Sequence, residues 1–224
     1  MAAGRVLGAP MTPAAYWDRV AGTKHFGHPL DVARLVDLAP APLRVLDVGC
    51  GEGRLLAALH AAGHRRLRGV DIAPRMLERA RRAVPAAELR VIDGLHLPFE
   101  DDAFDAVLFA ATFTSAPADE VQRALAAEAM RVLAPGGVVF VSDLPLQHDE
   151  RNRARYARGA PGFAHGAFAL DDGGVCRHHP EGHFEALFAG LELIARDVLD
   201  GRTMNGNPIR MEQLWLRAPA GPRR

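Results

Sequence analysis

The chain has 224 residues, of which 49% are hydrophobic, and its 27 basic side chains balance 27 acidic ones. This length allows one domain with a well-buried core. A formal net charge of zero argues against a nucleic-acid partner and against an anionic membrane surface, because both favour a strongly basic face.

The chain carries no signal for export or membrane insertion. No apolar run is long enough to span a bilayer, and residues 1–10 lack the apolar centre of a signal peptide. The two cysteines, Cys50 and Cys176, do not make a disulfide framework. We therefore expect a reduced, cytoplasmic protein that forms a single domain over residues 1–224. The sequence carries no signal for an oligomeric state.

Residues 1–38 are predicted to form an N-terminal helical cap. Within this segment, residues 12–38 read as one or two helices with a glycine-rich break at 22–27. The cap carries the aromatic residue Tyr16 and the only lysine of the chain, Lys24.

Strand and helix patterns alternate from residue 43 to residue 142, which is typical of a parallel α/β sheet. The pattern predicts strands at 44–48, 67–71, 89–93, 104–109 and 137–142, and helices near 53–62, 73–83 and 118–132. Residues 43–142 would therefore form the ligand-binding core.

The run Val-Leu-Asp-Val-Gly-Cys-Gly-Glu-Gly at 45–53 is the most informative segment. It predicts a buried strand that ends in a glycine turn and opens a helix, which is how a nucleotide crevice forms at the carboxyl end of a sheet. Asp47 and Glu52 would repel a pyrophosphate, but they would attract a ligand that carries an ammonium and a sulfonium. The charges therefore favour S-adenosylmethionine (SAM) over NAD.

Asp71 is predicted to end the second strand, about 20 residues after the glycine turn, where a carboxylate can accept both ribose hydroxyls. This acid is shared with NAD enzymes, so it indicates a nucleotide without choosing between the two cofactors. The alternative is an acid at a helix N-terminus that the helix dipole stabilises.

Two motifs in the right order resemble a known family. The segment 47–53 resembles the first motif of class I SAM-dependent methyltransferases, Asp-x-Gly-x-Gly-x-Gly. The run Leu-Ala-Pro-Gly-Gly at 133–137 is similar to the turn that precedes the fifth strand in the same family. The resemblance covers residues 43–142 by motif and 190–217 by topology, and it is to the small-molecule, type 11-like members. It implies a Rossmann-like, doubly wound, mostly parallel sheet with a C-terminal antiparallel hairpin.

The resemblance also implies a set of SAM-binding residues. It places Ile72 and Met76 at the adenine, Asp93 at the adenine amino group, and residues near Ala110 beside the methionine part. The full set is Asp47, Gly49, Cys50, Gly51, Asp71, Ile72, Met76, Asp93, Gly94 and Ala110, with Tyr16 and Lys24 from the cap. Lys24 is hypothesised to pair with the methionine carboxylate.

Two further regions flank the core. Residues 145–180 are predicted to form a lid or substrate insert, with a helix at 149–157 and a turn or hairpin at 172–174. Residues 190–217 read as two strands, 191–199 and 211–217, joined by a loop alone, so they should be antiparallel.

The acceptor side has no motif, so the sequence assigns no catalytic residue. The candidates for substrate contact are His28, Phe113, His165 and His178, and Asp143 is expected to face the crevice from the end of the fifth strand. If the acceptor must lose a proton, His28, His165, His178 and His179 are the first candidates for a general base. The arginines at 151, 153, 155 and 158 either recognise an acidic substrate or form a solvated helix face, and the second interpretation is favoured.

No metal site is predicted. Cys176, His178, His179 and His183 have short, zinc-like spacings, but no second pair of ligands follows at a familiar separation.

Three functions are consistent with these patterns. The favoured one is a SAM-dependent methyltransferase that moves a methyl group to an N, O, S or C atom of a small molecule by in-line displacement, leaving S-adenosylhomocysteine. The alternatives are an NAD(P)-dependent oxidoreductase, which Glu52 and the Pro-Gly-Gly turn disfavour, and a non-catalytic SAM-binding module.

Overall fold

The computed structural model describes residues 12–24, 27–39, 43–203 and 206–221. Residues 1–11 of the predicted cap therefore lie outside the described part of the chain. No helix in the described ranges is long and apolar enough to cross a membrane.

One central sheet and one small hairpin make up the β structure. The strands are β1 (Arg44–Val48), β2 (Arg66–Asp71), β3 (Glu88–Val91), β4 (Phe104–Ala110), β5 (Leu133–Asp143), β6 (Ala167–Ala169), β7 (Val175–Arg177), β8 (Glu192–Arg202) and β9 (Pro208–Arg217). The helices of the described ranges are α1 (Pro13–Val20), α2 (Val32–Leu38), α3 (Arg54–Ala61), α4 (Pro74–Ala83), α5 (Thr112–Ser115), α6 (Asp119–Val132), α7 (Glu150–Arg158) and α8 (His183–Leu187).

The central sheet has seven strands in the order β3-β2-β1-β4-β5-β9-β8. Strands β1 to β5 are parallel, whereas β9 runs antiparallel to both β5 and β8. The strand order reverses between the adjacent parallel strands β1 and β4, and a ligand crevice forms at such a point in a doubly wound sheet. The predicted fold, including the C-terminal antiparallel hairpin, is confirmed.

Both faces of the sheet are buried, and this explains the unbroken apolar run in β4. Val107 and Phe109 belong to a cluster on one face that also takes in α6 and α8. Ala106 and Leu108 belong to a second cluster on the opposite face, with α2 and α3. Successive residues of a strand point to opposite faces, so a central parallel strand needs apolar residues at nearly every position.

Several strand boundaries differ from the prediction, and two of them bear on the predicted motifs. Strand β3 ends at Val91, so Asp93 lies in the loop that follows rather than at the strand end. Strand β5 begins at Leu133 rather than at residue 137, and its pairing with β4 shifts register between Phe104 and Ala106. The Pro-Gly-Gly turn thus lies inside an irregular strand, which local turn chemistry does not reveal.

Asp143, at the end of β5, was predicted to face the crevice, but it does not. Its side chain is fully buried and accepts hydrogen bonds from the backbone N–H of Phe113 (2.9 Å), Thr114 (3.1 Å) and Leu144 (2.8 Å) and from the Thr114 hydroxyl (2.5 Å). Burial raises the pKa of Asp143 to about 6, and the hydrogen bonds from Thr114 and the backbone oppose that rise. Its role is to fix the short helix α5 against β5.

The cap and the lid meet over the carboxyl edge of the sheet. Asp172, in the turn between β6 and β7, accepts a hydrogen bond from the Tyr16 hydroxyl (3.0 Å) and lies 2.5 Å from the Lys24 ammonium. Lys24 also donates to the Tyr16 hydroxyl. Gly174 packs so closely on Tyr16 that a Cβ at this position would overlap the ring. The hairpin β6–β7 and helix α1 are therefore docked on each other.

Asp143→Ala should lower the free energy of unfolding by about 3 kcal/mol, because several buried donors lose their acceptor. Urea unfolding at pH 7 measures the change. Asp37→Ala, which removes an exposed carboxylate from α2, is the matched control and should leave the midpoint nearly unchanged. Equal midpoints for the two variants would contradict the buried role of Asp143.

Gly174→Ala should loosen the contact between lid and cap, because the added methyl group displaces the Tyr16 ring. We expect trypsin to cut the arginine-rich helix α7 faster in this variant than in the wild type, with the rest of the chain equally resistant. Gly221→Ala is the control, since its Cβ would meet nothing within 4 Å. Unchanged cleavage in Gly174→Ala would show that the contact does not hold the lid.

Candidate active site

The carboxyl ends of β1, β2 and β4 open into a cavity of about 860 Å³. Ligand pockets of small molecules and cofactors span roughly 300–1,000 Å³, so this is large enough for a nucleotide-sized ligand. All the predicted cofactor residues lie on its wall, namely Tyr16, Lys24, Asp47, Gly49, Cys50, Gly51, Asp71, Ile72, Met76, Asp93, Gly94 and Ala110. The fold therefore brings together residues from five separate stretches of the chain.

The glycine loop between β1 and α3 is tied to the neighbouring strand. The backbone N–H groups of Gly49 and Cys50 both donate to the Val70 carbonyl, at 2.8 and 3.0 Å. Gly51 has a φ of +53°, and a Cβ built on it would meet no atom within 4 Å. The loop thus presents bare backbone to the cavity, and a ligand can approach Gly51 closely.

Asp71 fixes this loop and keeps capacity for a ligand. Its Oδ2 accepts from the Gly51 N–H (2.8 Å) and its Oδ1 accepts from the Ala73 N–H (2.9 Å). Burial raises the pKa of Asp71, while the hydrogen bonds from Ala73 and Gly51 act against the rise. A carboxylate has about four acceptor positions, so each oxygen can still accept one further hydrogen bond.

Asp47 is the more perturbed acid of the cavity wall. Burial raises the pKa of Asp47 to about 7, with Arg54 opposing the rise and Asp71 adding to it. The group is therefore close to half-ionised at neutral pH, and a cation bound beside it would favour the charged form. Such a site fits a ligand with an ammonium group.

Glu52 has a different role from the one its sequence position indicates. Its Oε1 accepts from the Gly22 N–H (2.6 Å) and lies 2.7 Å from Nε of Arg79. Glu52 therefore ties the cap to α4, and Arg79 offsets its charge. The electrostatic preference for a cationic ligand depends on Asp47 and Asp71 rather than on Glu52.

On the far side of the cavity, the loop after β3 presents Asp93. Its Oδ1 accepts from the N–H groups of Leu95 (2.8 Å) and His96 (3.1 Å), and these bonds lower the pKa of Asp93. Met76 and Ile72 lie beside it on the wall, with Met76 buried. An ionised acceptor next to apolar side chains is suited to an aromatic base with an amino group.

Several wall residues were not predicted from the sequence. Trp17 from the cap, Val121 and Leu125 from α6 and Phe163 from the lid form an apolar part of the wall. Helical spacing could have indicated Val121 and Leu125, because residues four apart share one face. No local pattern indicates Phe163, since the lid brings it to the cavity from a loop.

Lys24 lies on the wall as predicted, but its ammonium is already paired with Asp172. Burial of the ammonium lowers the pKa of Lys24, but the hydrogen bonds to Asp172 and Tyr16 outweigh burial and raise the pKa above its usual value. The pairing of Lys24 with the methionine carboxylate stays a prediction. In the structure, Lys24 stabilises the closed arrangement of cap and lid.

The predicted substrate residues do not gather in the large cavity. Phe113 is fully buried in the core and stacks on Phe109, with ring centroids 4.8 Å apart. His165 packs against Tyr156 (5.8 Å) and, within the described residues, lines neither of the two cavities found. His28 and His178 line a second, smaller cavity beneath the lid.

The buried histidines are hydrogen-bonding groups rather than bases at neutral pH. Burial lowers the pKa of His28 to about 4, that of His178 to about 3 and that of His179 to about 2. His28 pairs with the Ser142 hydroxyl (3.0 Å), and His178 pairs with the Tyr156 hydroxyl (2.6 Å). A base with so low a pKa accepts a proton poorly at pH 7.

His179 and His183, two of the residues with zinc-like spacing, form hydrogen bonds with the side-chain amide of Gln122. Nε2 of Gln122 lies 2.9 Å from Nε2 of His179, and its Oε1 lies 2.7 Å from Nε2 of His183. These bonds join the lid to α6. Among the residues that the structure describes, no group of three or more metal-binding side chains is placed to hold an ion.

Comparison with known proteins agrees with this geometry. Residues 45–137 match the family described as "Methyltransferase domain". A demethylmenaquinone methyltransferase of Thermus thermophilus is 44% identical over 119 residues, which are 50% of this chain and 53% of that protein. A 2-methyl-6-phytyl-1,4-hydroquinone methyltransferase of Synechocystis sp. is 34% identical over 122 residues, which are 52% of this chain and 36% of that protein.

The chain thus spans about half the length, or less, of these curated relatives. Among solved structures, a SAM-dependent methyltransferase from Methanosarcina mazei superposes with a TM-score of 0.79, covering 87% of this chain and 100% of that chain. At 22% identity this likeness concerns the fold. The matched domain, the sheet order and the acids of the glycine loop agree with one another. Residues 45–137 therefore match a methyltransferase domain by sequence, and the chain shares its fold with a solved methyltransferase structure.

Proposed function

We propose that this chain transfers a methyl group from SAM to a small organic acceptor. The observation that carries the proposal is the single cavity on whose wall all the predicted cofactor residues lie. When bound, SAM supplies an electrophilic methyl group on a sulfonium, which an acceptor displaces in line. The chain's own contribution is to bind, orient and enclose the reactants.

We assign each part of the cofactor to a group on the cavity wall that suits it. The open lone pairs of Asp71 suit the two ribose hydroxyls, and the bare backbone at Gly51 suits a close contact with the methionine part. Asp47 suits the ammonium group, because a cation there relieves the cost of ionising a buried acid. Oδ2 of Asp93 suits the adenine amino group, since the backbone bonds go to Oδ1.

The proposed acceptor is a small molecule with an apolar ring. Trp17, Val121, Leu125 and Phe163 give the cavity an apolar wall that suits such a ring. Two relatives are named as methyltransferases of a quinone and of a hydroquinone, and both of these acceptors are small molecules with such a ring. The low pKa values of His28, His178 and His179 favour an acceptor that reacts without a strong enzymic base.

Closure of the site is the other contribution of the chain. Tyr16, Lys24 and Asp172 hold the cap against the lid hairpin, and both elements contribute to the cavity wall. Exclusion of water keeps the sulfonium away from competing nucleophiles and strengthens its interaction with the carboxylates. Proximity and enclosure are therefore the main sources of rate acceleration in this proposal.

Titration calorimetry with SAM, S-adenosylhomocysteine and NAD tests the proposal. We expect micromolar binding of SAM and S-adenosylhomocysteine and none of NAD. In Asp71→Ala the binding should be lost, because the ribose acceptor and the tie to Gly51 disappear together. Asp37→Ala, with an exposed carboxylate removed, should bind like the wild type.

Binding of NAD instead of SAM would overturn the proposal in favour of an oxidoreductase. Binding of SAM without turnover of any quinol or phenol acceptor would identify a SAM-binding module. Radiolabelled methyl transfer to such a panel of acceptors separates the second outcome from catalysis.

Affinity for S-adenosylhomocysteine should rise with pH through about 7. Below this pH Asp47 is protonated and cannot pair with the ligand ammonium, whereas above it the carboxylate is ionised. Between pH 5.5 and 7.5 we expect affinity to increase about tenfold, and protons to be released on binding. Asp47→Asn should bind weakly and almost independently of pH, and a flat profile for the wild type would contradict the assignment.

A further inference from the structure

A second cavity of about 50 Å³ lies beneath the lid. Helix α7 and hairpin β6–β7 form one side, and the ends of β8 and β9 form the other. In β7, Val175 lines the large cavity and Cys176 lines the small one, so a single strand separates the two. The function proposed above makes no use of this space.

The wall of the second cavity is strongly basic. Three arginines, Arg151 and Arg155 from α7 and Arg202 from β8, line it, together with His28 and His178, which are neutral at pH 7. No aspartate or glutamate is among the described residues that line it. A wall with cations and no carboxylate has a positive potential, which attracts an anion.

Arg151 and Arg155 lie side by side on one face of α7. They are four residues apart on α7, so their side chains are neighbours, and like charges at this spacing destabilise a helix. Burial and the charge of Arg151 both lower the pKa of Arg155. An anion bound between the two guanidinium groups would remove this repulsion.

Arg151 also has an unused donor inside the protein. Its Nη1 is buried and has no hydrogen-bond partner among the described residues. The carboxylate of Asp149 is close to a different nitrogen of Arg151, Nε, and the distance of 3.9 Å is too long for a hydrogen bond. Buried donors of this kind are nearly always satisfied, so the unmet donor of Arg151 points to a ligand.

Arg155 is fixed in position by an aromatic ring. Its guanidinium lies 4.9 Å from the centroid of the Phe168 ring. Stacking uses the face of the guanidinium and leaves its edge donors for a planar or tetrahedral oxygen group. Leu144, Ile209 and Met211 complete the wall with apolar surface.

The size of the cavity restricts what it can hold. A space of about 50 Å³ accommodates about three or four water molecules, which is the volume of a carboxylate or phosphate group but not of a ring system. The apolar part of the wall suits the carbon atoms that carry such a group.

We propose that the second cavity is an anion site in which Arg151 and Arg155 bind a carboxylate or phosphate group. The group belongs either to the methyl acceptor, which then reaches past the lid strand with its anionic end anchored, or to a free anion that holds the lid. The first source rests on the proposed function, whereas the anion site itself does not.

Calorimetric titration of the full chain with acetate and with inorganic phosphate, at constant ionic strength, tests the site. The wild type should bind at least one of the two saturably. Arg155→Gln and Arg151→Gln should each weaken this binding by about tenfold or more, because a charged hydrogen bond is lost. Arg153→Gln, on the same helix but exposed, is the matched control and should bind like the wild type.

Absence of saturable binding in the wild type, or equal binding in all variants, would overturn the anion site. Tighter binding of acetate than of phosphate would support an organic acid as the ligand, and the reverse would support a free phosphate or a phosphate ester. Arg155→Lys checks that a loss in Arg155→Gln is not a folding defect, because it keeps the charge and should retain part of the binding.

S-adenosylhomocysteine binding is measured on the same samples. A wild type that binds S-adenosylhomocysteine but neither anion contradicts the second site alone. A wild type that binds an anion but not S-adenosylhomocysteine contradicts the proposed methyl transfer and leaves the anion site supported.

Discussion

Buried carboxylates at the carboxyl ends of the strands hold this structure together. Parallel strands that end side by side leave backbone N–H groups without a partner, and buried donors must be satisfied. Asp71, the last residue of β2, accepts hydrogen bonds from two such N–H groups, and Asp143, the last residue of β5, accepts from three. Asp47 lies within β1, and burial raises its pKa to about 7, while the charge of Arg54 opposes the rise. Asp71 shapes the crevice, Asp143 holds α5, and Asp47 is the acid that we propose for the ligand ammonium.

The enclosure of the crevice depends on contacts between distant parts of the chain. Glu52 of the glycine loop binds the Gly22 backbone, so the loop that would hold the methionine part also positions the cap. Asp172 then joins the cap to the lid through Tyr16 and Lys24. A ligand that orders the glycine loop would therefore also favour closure, because the three segments are connected by hydrogen bonds and ion pairs rather than by a flexible tether.

The sequence predicted the parts of the site that local patterns determine. The positions of the core strands follow from their apolar runs, and the residues from Asp47 to Ala110 follow from the motifs and from what the family resemblance implies. The partner of Lys24 could not be predicted, since Asp172 is a lid residue that only tertiary packing brings near. The burial of Asp143 was equally hidden, because the helix α5 that needs it is a single short turn. Long-range contacts, not propensities, decide these two positions.

The arginines of α7 show how a correct general rule can hide a specific feature. A run of charges on a helix is usually a solvated face, and Arg153 and Arg158 are exposed as that rule predicts. An α-helix has 3.6 residues per turn, so Arg151 and Arg155 lie on the same face of α7, whereas Arg153 lies on another face. That face lies against the lid hairpin, where Phe168 stacks under Arg155. Two cations are thus turned inward at a cost in repulsion that no described carboxylate of the cavity wall offsets. In our proposal a bound anion supplies the missing negative charge, and the lid hairpin, which lines both cavities, then serves two sites.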